Sequence, residues 1–363
     1  MKKLQNFSMR LLLMFAGLAL FSAPTSFGQK LPAALAGTIP SRPSGQIAFI
    51  REGDVWIMDA DGTNQQLVTQ VKNADGRLSW APDGRRIAFT RSGKVEWSDA
   101  MESSGGRKKI YDIFVAYLDS AKAGKTMWWH RITDELGGRD PEWSTDGKAI
   151  YFTKDCNANR VNAEFLNYQI CSIDPEGGSF NMIRKDWQNA NEFLMGPSVS
   201  PTGDIAVTHL YGNKDAAKDA QSIRPQGFTI LPHTNYMKSM DSLRITSKKM
   251  AGCITPTWSP DGKWIAYVNT DAARSGVYIV APDLATPYLV FSAPAGTAVY
   301  TVEPSFSPDS KWLTFSTNDG SIYICDITGG GLRKLTGPGS DKFPAWSKGS
   351  STAARSNTVL KKK

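Results

Sequence analysis

One short phrase recurs along the chain, and this repetition limits the possible fold more than any other feature. The phrase reads SPDGKWIAY at 259–267 and returns in altered form at 81–89, 144–152, 200–207 and 307–315. Ser, Pro, Asp and Gly in this order are typical of a type I β-turn, and the apolar residues that follow favour a strand. Each copy therefore predicts a strand, a tight turn and a second strand, and contains no reactive group.

Each copy of the phrase opens a longer unit that predicts four short strands. In the unit at 302–336, the strands PSFS, KWLTFS, SIYICDI and LRKLT are separated by the turn sequences SPDS, TNDG and TGGG. Four antiparallel strands with a turn at each junction are typical of one blade of a β-propeller. Five full units begin near Leu78, Pro141, Pro197, Pro256 and Pro304.

The two ends of the repeat region predict a sixth blade. Residues 46–69 supply the second, third and fourth strands of a unit, and residues 343–350 supply a first strand. Pairing these fragments closes a ring and removes exposed sheet edges. The sequence therefore predicts an all-β, six-bladed propeller of four-stranded antiparallel blades over 45–347, closed by pairing the C-terminal strand with the N-terminal strands.

The segments outside the repeats predict an exported protein. Three basic residues precede the apolar run 11–21, which is short for a membrane span, and small residues precede Gln29. This order is typical of a signal peptide, here 1–28, although a retained membrane anchor is the alternative. We expect a periplasmic or secreted protein with no transmembrane segment after cleavage. Residues 29–44 are then an N-terminal linker, and 348–363 a basic, disordered tail.

The formal net charge of +8 does not indicate a nucleic-acid-binding protein. The signal carries three basic residues and the tail five, with no acidic residue in either, so the body between them is neutral. A basic groove for phosphates is therefore not predicted, and we expect a monomer without a nucleic-acid partner.

The units differ most in the connections that emerge on one face of the predicted ring. Long connections occur at 91–109, 154–167 and 209–227, with a shorter one at 269–276, and they mix charged with aromatic residues. Long loops on a rigid scaffold commonly bind partners, and Arg and aromatic residues dominate such contacts; tolerated insertions are the alternative. We expect a protein or peptide to contact Arg91, Trp97, Arg139, Asp140, Arg160, His209, Tyr211, Arg224 and Arg274.

The sequence does not predict catalytic residues or a cofactor. The chain has three histidines and no G-x-S-x-G motif, so neither a His-rich metal centre nor a serine nucleophile is indicated. Asp140 and Glu303 precede first strands near the channel mouth, where they could bind a cation such as calcium. Cys156 and Cys171 flank one predicted hairpin and are a disulfide candidate.

The repeated motifs resemble those of the TolB family. The pattern P-x-W-S-P-D-G-K, then D-I-Y-V-x-D, then G-G-x-x-x-x-L-T matches PTWSPDGKWIAYV, YDIFVAYLD and GGGLRKLT of this chain. The resemblance covers the propeller only, since TolB has an α/β domain before it. It implies a non-catalytic binding module of the cell envelope, by analogy with TolB's docking of a peptidoglycan-associated lipoprotein. A polysaccharide lyase-like enzyme, or a scaffold partner of a separate enzyme, is the alternative.

Overall fold

The computed structural model describes residues 29–97, 107–120, 128–134, 138–156, 168–184, 192–211, 224–236, 250, 252–271, 274–293 and 303–348.

The described strands form six antiparallel sheets, which we call blades A to F. Blades A and B contain β1 (Gln46–Arg51), β2 (Asp54–Asp59) and β3 (Gln66–Leu67), then β4 (Ser79–Trp80), β5 (Arg86–Trp97), β6 (Arg107–Tyr117) and β7 (Trp128–Arg131). Blades C and D contain β8 (Gly138–Trp143), β9 (Ile150–Asp155), β10 (Tyr168–Ile173) and β11 (Asn181–Met182), then β12 (Glu192–Val199), β13 (Ile205–Tyr211) and β14 (Arg224–Leu231).

The second half of the ring follows the same order. Blades E and F contain β15 (Cys253–Trp258), β16 (Ile265–Asn269), β17 (Gly276–Val280) and β18 (Tyr288–Ser292), then β19 (Ser305–Phe306), β20 (Trp312–Ser316), β21 (Ile322–Asp326) and β22 (Arg333–Lys334). The last strand, β23 (Lys342–Trp346), returns to blade A. A short helix α1 (Ala33–Ala36) and a 3-10 turn (Leu118–Ser120) complete the described elements.

The ring closes as the sequence predicts. Strand β23 pairs antiparallel with β1, and Trp346 lies opposite Ile47. At the other end of this pair, the guanidinium of Arg51 donates two hydrogen bonds of 2.7 Å to the two carboxylate oxygens of Asp341. The chain is therefore an all-β, six-bladed propeller, and blade A combines strands from both ends of the repeat region.

Hydrophobic side chains fill the gaps between neighbouring blades. One cluster joins blades A and B around Phe89, and another joins blades B and C around Phe152. Further clusters lie between C and D, D and E, E and F, and F and A. The aromatic residue that precedes each turn phrase is buried in these gaps, as with Trp80 and Trp143. Each blade is thus stabilised mainly by its two neighbours.

The repeated turns have the chemistry that the sequence predicts. In blade E, Ser259 Oγ donates to Asp261 at 2.7 Å and accepts the N–H of Trp264 at 2.9 Å. Gly262 follows with a φ of +70°, a conformation that glycine adopts without strain. Blade C repeats the same contacts around Ser144. The phrase therefore stabilises the connection between the first two strands of a blade.

The structure corrects the predicted length of the connections. Strands β5 and β6 pair as far as Trp97 and Arg107, so 91–97 and 107–109 of the predicted loop are strand. Strands β13 and β14 likewise pair as far as Tyr211 and Arg224. Both regions are rich in charged and polar residues, which favour a loop in the sequence but also occur at strand ends.

The predicted disulfide between Cys156 and Cys171 is not formed. The strand register explains this result. Cys171 lies opposite Phe152, four residues before Cys156, which follows the end of β9. Disulfide formation needs Cα atoms within about 7 Å, and four strand residues span about 13 Å.

The segment 29–44, predicted as a linker, packs against the propeller. Leu31 and Ala36 are buried in the cluster between blades E and F. The carbonyl of Gln29 accepts the N–H of Leu289 at 2.8 Å, and Lys30 Nζ donates to Val290 O at 3.2 Å. This segment therefore contributes to the core between two blades.

Candidate functional site

Six equivalent positions stand around the mouth of the channel, each three residues before the buried residue of an inner strand. The inner strands are β4, β8, β12, β15, β19 and β23, and their first residues lie on the face where the second strands end. The six residues at these positions are Arg77, Asp140, Gly196, Thr255, Glu303 and Phe343. Four of them have a positive φ and precede a proline: Asp140, Gly196, Thr255 and Phe343.

These positive φ values accompany breaks in strand register. The pairing of β8 with β9 shifts between Arg139 and Glu142, and that of β15 with β16 shifts between Ile254 and Thr257. The freed N–H groups bond to the preceding blade, since Asp140 N donates to Thr90 Oγ1 at 3.1 Å. Bulges of this kind re-aim side chains near functional sites.

Arg77 crosses the channel from blade B. Its Nε donates to Glu303 of blade F at 2.7 Å, and its Nη1 donates to Pro197 O of blade D at 2.8 Å. Its Nη2 donates to Pro256 O of blade E at 3.2 Å. The residue is 6% exposed, and its backbone N–H points to Asp140 of blade C at 3.4 Å. A single side chain thus connects blade B with blades D, E and F.

The pKa values of Arg77 and Glu303 depend on the charged side chains around them. Burial opposes the positive charge of Arg77, but Glu303, Glu142 and Asp140 together raise its pKa. Burial raises the pKa of Glu303, while Arg77 acts in the opposite direction. A buried guanidinium is stable only where acceptors surround it, and here three backbone carbonyls and one carboxylate do so.

Arg139 forms a second basic centre nearby, closer to solvent. Its guanidinium lies 5.4 Å from the centre of the Tyr111 ring, and its Nε donates to Asp140 at 3.2 Å. The charge of Arg139 also acts on Tyr168, a phenol whose pKa burial raises to about 12. The side chain of Arg139 is 24% exposed. An arginine positioned by two tyrosines and a carboxylate can present remaining N–H groups to a carboxylate or a backbone carbonyl.

A further charged contact lies deeper in the ring. Glu142 accepts hydrogen bonds from Ser79 Oγ at 2.9 Å and from Lys348 Nζ at 2.8 Å. Lys348 also donates to Trp143 O at 3.0 Å. Lys348, which the sequence assigns to the disordered tail, therefore connects blade A to blade C.

The structure brings together two of the predicted binding residues, Arg139 and Asp140. Arg91 does not join them, because its guanidinium lies over the rings of Phe114 and Trp129, 5.8 Å from each ring centre. His209 is buried within blade D, opposite Leu194. The other predicted residues stand at strand ends or before β17, on the face of the channel mouth: Trp97, Tyr211, Arg224 and Arg274. Arg160 lies outside the described residues.

Sequence reasoning missed Arg77, Tyr111 and Tyr168. Arg77 has a detectable signal, because it occupies the repeat position that Asp140 and Glu303 occupy in other blades. Tyr168 begins the third strand of blade C and Tyr111 lies within that of blade B, and no local pattern distinguishes them from other strand residues. Their proximity to Arg139 depends on the packing of blade B against blade C.

Among the described residues, no three His, Cys, Asp or Glu side chains are grouped so that they could hold a metal ion. Where carboxylates of the channel converge, the guanidinium of Arg77 lies among them. Within the same residues, no helix is long and apolar enough to cross a membrane.

Comparisons with known sequences give weak, partial matches, and no family model matches the chain. The chain is 25% identical over 229 residues to the uncharacterized peptidase YuxL of Bacillus subtilis, covering 55% of this chain and 31% of that protein. It is 25% identical over 224 residues to an uncharacterized protein of Agrobacterium fabrum, covering 59% and 61%. The chain thus spans less than two thirds of each of these curated relatives.

Comparison with solved structures shows the fold. TolB from Acinetobacter baumannii matches with a TM-score of 0.57 at 20% identity, over 87% of this chain and 69% of that one. The hydrazine synthase of Kuenenia stuttgartiensis matches with a TM-score of 0.54 at 14% identity, over 92% and 51%. The chain is therefore a six-bladed β-propeller that is similar in structure to the propeller of TolB.

Proposed function

We propose that this protein is an exported, non-catalytic propeller that binds a protein or peptide on the face that carries its long connections. The observation that supports this most is the position of Arg139. Its guanidinium lies beside Tyr111, Tyr168 and Asp140 at the channel mouth, and it is partly exposed. The strand ends that carry Trp97, Tyr211 and Arg224 lie on the same face.

The chemistry of this face suits a peptide more than a small apolar ligand. Arginine and tyrosine are enriched at the energetically important positions of protein interfaces. Asp75 and Lys342 form a 2.8 Å ion pair that is also partly exposed at the mouth. A partner that presents a carboxylate to Arg139 and a backbone to the surrounding polar groups would match this arrangement.

The contacts of Arg77 inside the channel hold the mouth of the propeller rigid, which supports this proposal. Arg77 ties blade B to three other blades just beneath the mouth, so the mouth residues keep their relative positions without a ligand. A preorganised surface loses less conformational entropy when it binds. The likeness in fold to TolB agrees with a binding role, and the B. subtilis relative that is named a peptidase is the reason to test for cleavage.

A capture experiment tests the proposal. Immobilised wild-type protein is compared with a Trp97→Ala, Tyr211→Ala, Arg224→Ala variant and with Arg139→Ala, using envelope extract and quantitative mass spectrometry. We expect partners retained by the wild type to fall about tenfold or more for both variants, because such anchors contribute about 1 to 2 kcal/mol each. Leu332→Ala, an exposed residue of blade F outside this face, is the matched control.

Two outcomes would contradict the proposal. The first is a partner list that is unchanged in both variants while Leu332→Ala behaves in the same way. The second is hydrolysis of a retained peptide by the purified protein, since a binding module without catalysis returns its partner intact.

A further inference from the structure

An aromatic patch lies on the two outer strands of blade B, whereas the residues at the channel mouth lie on inner strands. It consists of Tyr117 at the end of β6 and Trp128 and His130 on β7. The ring centres of Trp128 and Tyr117 are 4.7 Å apart, those of Trp128 and His130 5.0 Å, and those of Tyr117 and His130 5.6 Å. Trp128 is 56% exposed, which is high for a residue that favours burial.

Strand register places a charged residue, Arg86, in line with two residues of this patch. Arg86 on β5 lies directly opposite Tyr117, which lies directly opposite Trp128. The guanidinium of Arg86 is 4.5 Å from the centre of the Trp143 ring and pairs with Asp83 at 2.8 Å. The row therefore places an oriented guanidinium, a phenol and an exposed indole on adjacent strands, about 4.8 Å apart.

Blade C supplies the second side of the same surface. The turn between β10 and β11 reaches blade B, where Glu176 Oε1 accepts the hydroxyl of Tyr117 at 3.4 Å. A Cβ on Gly177 would lie 3.0 Å from Ile132 O, so the turn packs closely against the chain after β7. Phe180 follows this turn. The centre of its ring lies 6.3 Å from that of Phe152, and the residue is 41% exposed.

Exposed aromatic residues are thus concentrated where blades B and C meet. Four large hydrophobic side chains are exposed among the described residues. Two of them contact rings of the cluster between these blades, Trp128 through Tyr117 and Phe180 through Phe152. Among the described residues at the patch, Arg86 pairs with Asp83 and Arg85 with Asp119, and Glu176 adds one negative charge. Exposed apolar surface with a polar rim commonly marks a binding site.

We propose that the aromatic patch binds an uncharged glycan chain. A pyranose ring presents a face of C–H groups, which stacks on an indole, and a rim of hydroxyl groups, which need hydrogen-bond partners. Trp128 offers the indole face, while Glu176, Arg86 and the Tyr117 hydroxyl offer partners at its rim. A fully apolar ligand would cover these polar groups without adding a hydrogen bond to them, and an anionic ligand would meet the negative charge of Glu176.

This site differs from the proposed peptide-binding face and does not depend on it. The strand ends at Tyr117 and Trp128 lie on the side of the ring opposite the ends of β5 and β9. A protein that bound a partner at one face and a glycan at the other would link the two. The inference therefore stands or falls separately from the function proposed above.

Isothermal titration with chitohexaose, cellohexaose and maltohexaose tests the site. We expect at least one of these probes to bind in the millimolar range, since one exposed ring gives a small contact area, and Trp128→Ala to weaken it about tenfold. The protein is used as the full mature chain, and its melting temperature is measured for each variant. Because Trp128 is exposed, its replacement is expected to leave folding intact.

Controls separate this site from the rest of the surface. Leu332→Ala should bind the glycan as the wild type does, and so should the Trp97→Ala, Tyr211→Ala, Arg224→Ala variant. Glu176→Gln keeps the size of the side chain and should weaken binding several-fold through the lost charged acceptor. The inference is overturned if none of the three probes binds, or if Trp128→Ala binds with unchanged affinity in a folded state.

Discussion

At the scale of the residue, Arg77 brings a charge into the channel that partners on other blades neutralise. Its contacts to Glu303, Pro197 O and Pro256 O use donors in several directions. Both charged side chains are largely buried, at 8% and 16% exposure. Removal of one partner of such a pair leaves the other charge buried without compensation, which costs more than the pair contributes in the intact protein.

Replacement of Arg77 by methionine is predicted to destabilise the protein by about 3 to 5 kcal/mol, because Glu303 and three carbonyls lose their donor. Urea denaturation measures this change. The Arg77→Met, Glu303→Gln double variant should be more stable than Arg77→Met alone, since it removes the unpaired charge. Additive costs in the double variant would show that the two residues do not interact.

The same pair predicts a pH dependence. Burial raises the pKa of Glu303 in the folded state, and Arg77 limits this rise. In the window above the ordinary glutamate value the folded protein holds a proton that the unfolded chain has lost, so unfolding free energy falls as pH rises. Without Arg77 the pKa of Glu303 in the folded state rises further, so the pH range in which the folded protein holds the extra proton extends to higher pH. The cost of Arg77→Met should therefore be smaller at about pH 5 than at about pH 8; an equal cost at both would contradict this.

At the scale of the element, the pairing of β1 with β23 is reinforced by side chains at both of its ends. Arg51 and Asp341 form a bidentate pair at one end, and the hydrogen bond with Asp341 raises the pKa of Arg51. At the other end, Trp346 Nε1 donates to Ser44 O at 2.8 Å. Because β23 has five residues, side-chain contacts of this kind are a large part of what holds it in register.

A double-mutant cycle with Arg51→Gln and Asp341→Asn is predicted to give a coupling free energy of about 1 to 3 kcal/mol, because both donors are charged and the carboxylate is buried. The exposed pair of Lys148 and Asp146, 3.9 Å apart, is the matched control. Its coupling should be close to zero, since solvent screens it. Similar coupling free energies in the two cycles would show that the contact between Arg51 and Asp341 is no stronger than an exposed ion pair.

At the scale of the whole molecule, closure determines whether the six blades form one cooperative unit. Each gap between blades contains its own hydrophobic cluster, and the gaps beside blade A include Ala345 and Trp346 from β23. Trp80 of blade B also donates its indole N–H to Ala345 O at 2.9 Å. Loss of β23 would therefore expose the edge of β1 and weaken contacts with both neighbouring blades.

Two truncations are predicted to behave differently. A chain that ends at residue 348 keeps β23 and Lys348, so its melting temperature should stay within a few degrees of the wild type. A chain that ends at residue 340 lacks β23, and it should lose its cooperative transition or aggregate through the open edge. Scanning calorimetry and size-exclusion chromatography distinguish the two. Equal stability of both chains would rule out closure as a source of cooperativity.

Much of this architecture could be predicted because it depends on local patterns. The turn phrase marks a strand junction in each unit, and the complementary fragments at 46–69 and 343–350 indicate the closing blade. The disulfide candidate failed because strand register, which the hairpin sequence does not specify, separates Cys156 from Cys171. The pairing of β5 with β6 beyond Arg91 is not predictable from the sequence, because the polar residues there show no apolar alternation with the period of a strand.

The amino-acid sequence alone determined the blade count, the turns and the buried aromatic positions, because each is encoded within a few neighbouring residues. Only the tertiary structure decided which charged groups meet. Arg77 and Glu303 are 226 residues apart in the chain and become partners because a closed ring turns equivalent strand positions toward one axis. Arg139 with its tyrosines, and Tyr117 with Glu176, are likewise products of blade packing, which no local pattern records.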